Sequence, residues 1–192
     1  EEIGFGPRDK DTGAEVGFYL GPVLVQVGVV NGAGPEFKLD DNSGKGVVGR
    51  IELLQRLGDF RLMLGGSGYY NSVGSRTGSG DQVVDTRSWQ TRLGVHWGAA
   101  LGRFAYFGEA DVRKIAIGAG NTGQEKEYSF RSYQELAVLI VRGLDLTLDY
   151  EFREPDLDQQ SGRAHRVAAG FEFYPLPSPE IKVLYRRSFG SG

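Results

Sequence analysis

Cysteine is absent from the 192 residues, methionine occurs once and histidine twice. Without thiols there is no disulfide framework and no thiolate metal site, and the two histidines, His96 and His165, stand far apart with no spaced partner. No metal and no cofactor is expected. Long apolar runs are missing too: the longest, residues 136–141, falls far short of the ~18 that a transmembrane helix requires. Charge of one sign does not dominate, with 22 Lys and Arg against 25 Asp and Glu, so no nucleic acid is expected as a partner. The chain opens Glu1-Glu2-Ile3-Gly4, without the basic and apolar regions of an export signal, which is expected to lie upstream or to have been removed.

What is present is glycine, 30 residues of it, with 11% aromatics, a composition of short strands and tight turns. Residues 143–153 set the pattern. Leu144, Leu146, Leu148, Tyr150 and Phe152 alternate with Asp145, Thr147, Asp149, Glu151 and Arg153. Strand side chains repeat every two residues, so this strand has one apolar face and one charged face. Nine or ten residues are also what a tilted strand needs to cross the ~30 Å hydrocarbon core of a bilayer.

The same alternation predicts ten strands, over residues 14–20, 23–30, 46–54, 60–70, 88–99, 103–113, 128–141, 143–153, 164–174 and 180–188. The connections alternate short and long, with long polar stretches at 31–45, 71–87, 114–127 and 154–163. Short turns at one end and long loops at the other are a habit of outer-membrane barrels. Counted from the turns, Tyr70, Trp89, Tyr150 and Phe152 fall near the long-loop end. Phe18, Phe60, Trp97, Phe104, Tyr106, Phe171 and Phe173 fall near the short-turn end, which predicts two aromatic girdles.

Three motifs weigh little. Gly118-Ala119-Gly120-Asn121-Thr122-Gly123 fits the dinucleotide pattern, but that chemistry needs a helix to begin at once, and Gln124-Glu125-Lys126-Glu127, with three charges, leads instead into a strand pattern. Asp40, Asn42 and Gly44 resemble the start of a calcium loop, yet Ile51 stands where the closing Glu belongs. The pairs Glu109 and Asp111, or Asp149 and Glu151, have the spacing of an acid/base couple. Every polar face of the chain is charged in this way, so no catalytic residue is assigned and no enzyme is expected.

Val29-Val30-Asn31-Gly32-Ala33-Gly34-Pro35, then Asp41 to Arg50 (Asp-Asn-Ser-Gly-Lys-Gly-Val-Val-Gly-Arg), then Ser67-Gly68-Tyr69-Tyr70, resemble bacterial outer-membrane porins of the phosphate-selective porin O/P-like group. The resemblance covers residues 14–70 and rests on strand ends and loop residues. It implies a water-filled barrel, a homotrimer, passing small hydrophilic solutes; it does not extend to a basic constriction loop, so anion selectivity is not carried over.

The expectation is therefore an all-β, antiparallel transmembrane β-barrel in the bacterial outer membrane, embedded in its lipid bilayer. Ten strands are present, as part of a larger barrel of 12 or more that lacks at least one strand at each end; a ten-strand barrel closed on itself is the competing account. The pore lining is expected from Arg50, Glu52, Arg61, Arg92, His96, Glu109, Asp111, Arg113, Asp145, Asp149, Glu151, Arg153, Arg166 and Glu172, joined by Lys182 and Arg186. Their charges nearly cancel, with Arg50, Arg61 and Arg92 forming a basic stripe and Glu109, Asp111, Asp145 and Asp149 an acidic region, which implies weak ion selectivity. Two other functions fit the pattern: a barrel that sheathes a partner protein, and a soluble sandwich or lipocalin-like binding module with its apolar rows inward.

Overall fold

The computed structural model describes residues 13–30, 45–77, 84–119, 124–159, 162–174 and 181–190. They form one sheet of ten antiparallel strands in sequence order. These are β1 (Gly13–Leu20), β2 (Val23–Val30), β3 (Gly46–Leu57), β4 (Phe60–Thr77), β5 (Val84–Leu101), β6 (Phe104–Ala119), β7 (Gln124–Val141), β8 (Leu144–Glu154), β9 (Ala164–Phe173) and β10 (Ile181–Gly190). The sheet is open. Among the described residues no pairing joins β1 to β10, so the ten-strand closed barrel does not form.

All ten expected strands exist, and β4 to β7 run well into stretches expected as loops, while β3 and β10 gain a few residues at their ends. β4 and β5 pair from Phe60↔Leu101 to Thr77↔Val84, through most of the stretch expected as a loop at 71–87. β6 and β7 likewise pair through most of 114–127, as far as Gly118↔Gln124. A ladder needs only backbone N–H and C=O groups, so Gly, Ser and Thr continue it although no apolar row marks the strand. The same pairing overturns the dinucleotide motif, since strand and not helix resumes at Gln124. The calcium-like Asp40, Asn42 and Gly44 lie outside the described residues.

At the opposite end the hairpins are tight. Two-residue turns at Gly21-Pro22, Gly58-Asp59 and Gly102-Arg103 each begin with a glycine at φ near +60° (62°, 64° and 58°), and Gly143 in Arg142-Gly143 has φ 83°. Primed turns of this kind match the twist of the flanking strands, and an L-residue there is strained.

Partners across an antiparallel ladder point to one face, so the registers assign every strand residue a side. One face carries Val16, Val27, Ile51, Leu64, Leu93, Phe104, Leu148, Phe171 and Val183; the other carries most of the charges. The apolar face is the exposed one, with Leu93 62% and Ile51 56% accessible. Among the described residues the only buried apolar side chains are Ala116 and Ala168, whereas Glu52, His96 and Thr147 on the charged face are buried. With no second layer over either face, burial of Glu52, His96 and Thr147 is what a sheet curving toward its charged side produces, and on that basis the charged side is the concave one. A sandwich with its apolar rows inward is therefore not the fold.

The aromatics expected in the girdles lie on the convex apolar face, and the cross-strand rows mix the two sets. Phe60, Phe104 and Phe171 share one cross-strand row. Phe18 falls level with Phe152, and Trp97 level with Tyr150. The hairpins are staggered: the β1–β2 turn comes after the Leu20↔Val23 row, which continues through Leu53↔Leu64 to Trp97, four residues before the Leu57↔Phe60 turn. A cross-strand row thus does not follow the line of the turns, a stagger of the kind that goes with tilted strands.

The turn glycines give a clean test, because a Cβ at Gly102 would meet nothing within 4 Å. Gly102→Ala should destabilise by about 1–2 kcal/mol from backbone strain alone. At Gly49, where φ is not positive and the nearest contact is 3.8 Å, the same change should be neutral or stabilising. Equilibrium denaturation midpoints of the two variants check this.

Candidate functional site on the charged concave face

All fourteen residues expected to line a pore stand on the concave face. Opposite charges neutralise one another at several points. Arg50 bonds Glu52, Lys182 bonds Glu172, and Arg166 Nη1 donates to Glu151 Oε2 at 2.8 Å. Arg113 lies 3.7 Å from Glu127, and the Tyr133 hydroxyl donates to Glu135 Oε2 at 2.6 Å.

The most enclosed contact spans two strands. His96 Nε2 and Glu52 Oε2 are 2.8 Å apart, both side chains about nine-tenths buried, with β4 lying between them. Gly65 on β4 pairs with both Glu52 and His96, and it has no side chain to separate them. A Cβ there would sit 2.3 Å from His96 Nε2. Gly94 serves Asp111 in the same way, since its Cβ would sit 2.2 Å from Asp111 Oδ1 and 2.9 Å from Ser67 Oγ. Nothing in the one-dimensional pattern marks these two glycines among 30.

The expected basic stripe does not form. Arg50 stands opposite Ser67, whereas Arg61 stands opposite Arg56 beside the β3–β4 turn, six residues along the strand or roughly 20 Å away. Sequence order gives the neighbouring strands but not their register. The register brings other arginines together instead: Arg92 faces Arg113 across β5 and β6, and Arg131 faces Arg153 across β7 and β8. Arg131, absent from the expected lining, lies within electrostatic reach of Arg153, Arg113 and Arg92. The expected acidic region is divided: Glu109 and Asp111 stand opposite Tyr133 and Arg131, while Asp149 faces Glu135 and Asp145 faces Glu172. Part of the concave face is apolar, an element that alternation alone does not show, with Leu54, Met63, Gly98 and Phe107 in one row running into Glu135 and Asp149.

His165 belongs to the other face. Its Nδ1 is 2.9 Å from the Tyr150 hydroxyl, and its ring packs against Phe152 and Phe152 against Phe130. Beside this cluster Arg163 bonds the buried Glu154, and Leu157 N donates to Tyr128 O, which ties the β8–β9 connection to β7. Among the described residues no group of three or more His, Cys, Asp or Glu could hold a metal ion, and no helix is long and apolar enough to cross a membrane.

No protein-family model matches the chain, and none of the curated proteins or solved structures matches it.

Gly65→Ala should break the His96–Glu52 contact and cost about 1–3 kcal/mol, because it leaves two buried polar groups unpaired. Gly66→Ala, on the other face and 3.6 Å from the nearest atom, should cost much less. Imidazole nitrogen chemical shifts of His96 and the denaturation midpoint read the two effects separately.

Proposed function

We propose that this chain forms part of a bacterial outer-membrane β-barrel of porin type, a passive pore for small hydrophilic solutes. One observation carries the reading: the sheet gathers most of its charges on one side, where Glu52 and His96 are buried, and exposes its large apolar side chains on the other. In water this inverts the usual arrangement, since an apolar surface of this extent seeks cover and a charged one seeks solvent. A barrel wall around an aqueous lumen satisfies both faces, with hydrocarbon outside and water within.

Other features agree. Short glycine turns at one end and long connections at the other have the asymmetry of such barrels. The two open edges fit a wall completed by further strands, as the expected total of 12 or more requires, because an unpaired ladder is stable in a membrane only when it closes. The resemblance to phosphate-selective porin O/P-like proteins supports the same class, and a homotrimer is its corollary. The charged lining of Arg50, Glu52, His96, Glu109, Asp111 and their neighbours then meets the solute. On this reading the protein catalyses no reaction and its partners are the bilayer and the solutes it passes.

Conductance of the purified protein in planar bilayers tests the pore directly: stepwise openings are expected, and a silent membrane at saturating protein would sink the proposal. The facing is tested by two arginines. Leu148→Arg on the convex face should cost ~2–4 kcal/mol of folding into lipid vesicles, the scale for Arg near the bilayer midplane. Ala105→Arg on the concave face, beside Ala100 and Ala137, should cost little. Equal losses would contradict the assignment of faces.

A further inference from the structure

The concave face neutralises many of its charges in pairs, yet along β7 and β8 it places like charges opposite each other at two levels. Arg131 faces Arg153, and four residues nearer the short-turn end Glu135 faces Asp149. Directly opposed like charges destabilise a sheet. Opposite charges at these positions would have been cheaper, and the same face uses that arrangement at Arg166–Glu151 and Lys182–Glu172.

Each pair has an opposite charge beside it yet keeps its two like charges face to face: Asp111 stands opposite Arg131 across β6 and β7, and Lys182 lies within reach of Glu135 and Asp149. Among the described residues no ion pair joins Arg131 or Arg153 to a carboxylate, although Glu151 lies within electrostatic reach of Arg131. Glu135 accepts the Tyr133 hydroxyl, a neutral donor. Lys182 itself bonds Glu172. On β5 and β6 the arginines Arg92 and Arg113 also stand at the long-loop side of the face and the acids Asp111 and Glu109 toward the short-turn side, with Asp111 level with Arg131. On β7 and β8 the two like-charged pairs of opposite sign thus lie one above the other, four residues of strand or about 13 Å apart.

We propose that this face binds zwitterionic solutes, with the anionic end on Arg131 and Arg153 and the cationic end on Glu135 and Asp149. The inference rests on the pore reading and names the solute class for that same face. An anion alone would be held by the arginines and repelled by the carboxylates, and a cation the reverse. A solute with both charges, set apart by a short spacer, meets attraction at both levels. Between the two levels stands the Tyr133–Glu151 row, and the Tyr133 ring, 6.3 Å from that of Phe107, offers a surface for that spacer.

Swelling of proteoliposomes carrying the full chain tests the proposal, with three solutes: ε-aminocaproate, a neutral hydroxy-amide of the same length, and glycine. ε-Aminocaproate should enter about fivefold faster than the hydroxy-amide, the scale of two partly exposed ion pairs. Glycine, whose charges are too close to reach both levels, should show a smaller advantage. Arg131→Gln with Arg153→Gln, or Glu135→Gln with Asp149→Asn, should each equalise the rates of ε-aminocaproate and the hydroxy-amide. Equal rates in the unmodified protein, or a preference that survives both double substitutions, would overturn the zwitterion site and leave the pore standing. Failure of all three solutes to enter would remove the pore and this site together.

Discussion

The two-residue repeat of the β-strand, applied to faces that need different solvents, is the constraint on which the rest depends. A slip of one residue in any ladder would carry charges to the apolar side and apolar rows to the charged side. The registers hold parity across nine ladders. The single irregularity, between Leu139 and Val141, obeys the same requirement: before it Leu139 pairs with Asp145 on the charged face, and after it Val141 pairs with Leu144 on the apolar face. A bulge inserts one residue and re-aims the side chains beyond it. Here it turns Val141 away from the charged face at the last position before the hairpin.

Curvature then sets which residues fit on each side. On a concave face side chains converge, and long charged ones need space that their neighbours must leave. Gly65 and Gly94 supply it, each in the middle strand of a three-strand row whose outer members reach across. The convex face shows the opposite use of glycine, where the Trp97 ring lies over Gly108, whose Cβ would come within 2.3 Å of it. The charged network and the shape of the sheet are therefore one arrangement: replacing a concave glycine would press on His96 or Asp111.

Much of this is legible in the sequence, because alternation is a local signal and survives without any knowledge of partners. The strand count, the face of each of the fourteen charged or imidazole residues and the positions of the tight turns all come from it. What alternation misses is non-local. A stripe of Arg50, Arg61 and Arg92 assumes a common level that only the register decides, and alternation puts Arg131 on the polar row of its strand without placing it opposite Arg153. The outer halves of β4 to β7 look like loops, since polar stretches rich in Gly, Ser and Thr satisfy a ladder without showing a period. The roles of Gly65 and Gly94 depend on side chains one strand away in either direction, and no periodicity in one strand announces them.

The direction of curvature also bears on what covers the apolar face. A protein layer laid over a convex surface must be shaped to it, side chain by side chain, because folded interiors tolerate few voids. Hydrocarbon chains of a bilayer conform to a convex wall as a fluid and need no matching shape. Had the sheet curved the other way, the apolar rows would converge into a core or a ligand pocket, as in a closed soluble barrel. With Leu93, Ile51 and Leu148 diverging on the outside and Glu52 and His96 packed on the inside, the same alternation that allows either fold favours a wall between lipid and water.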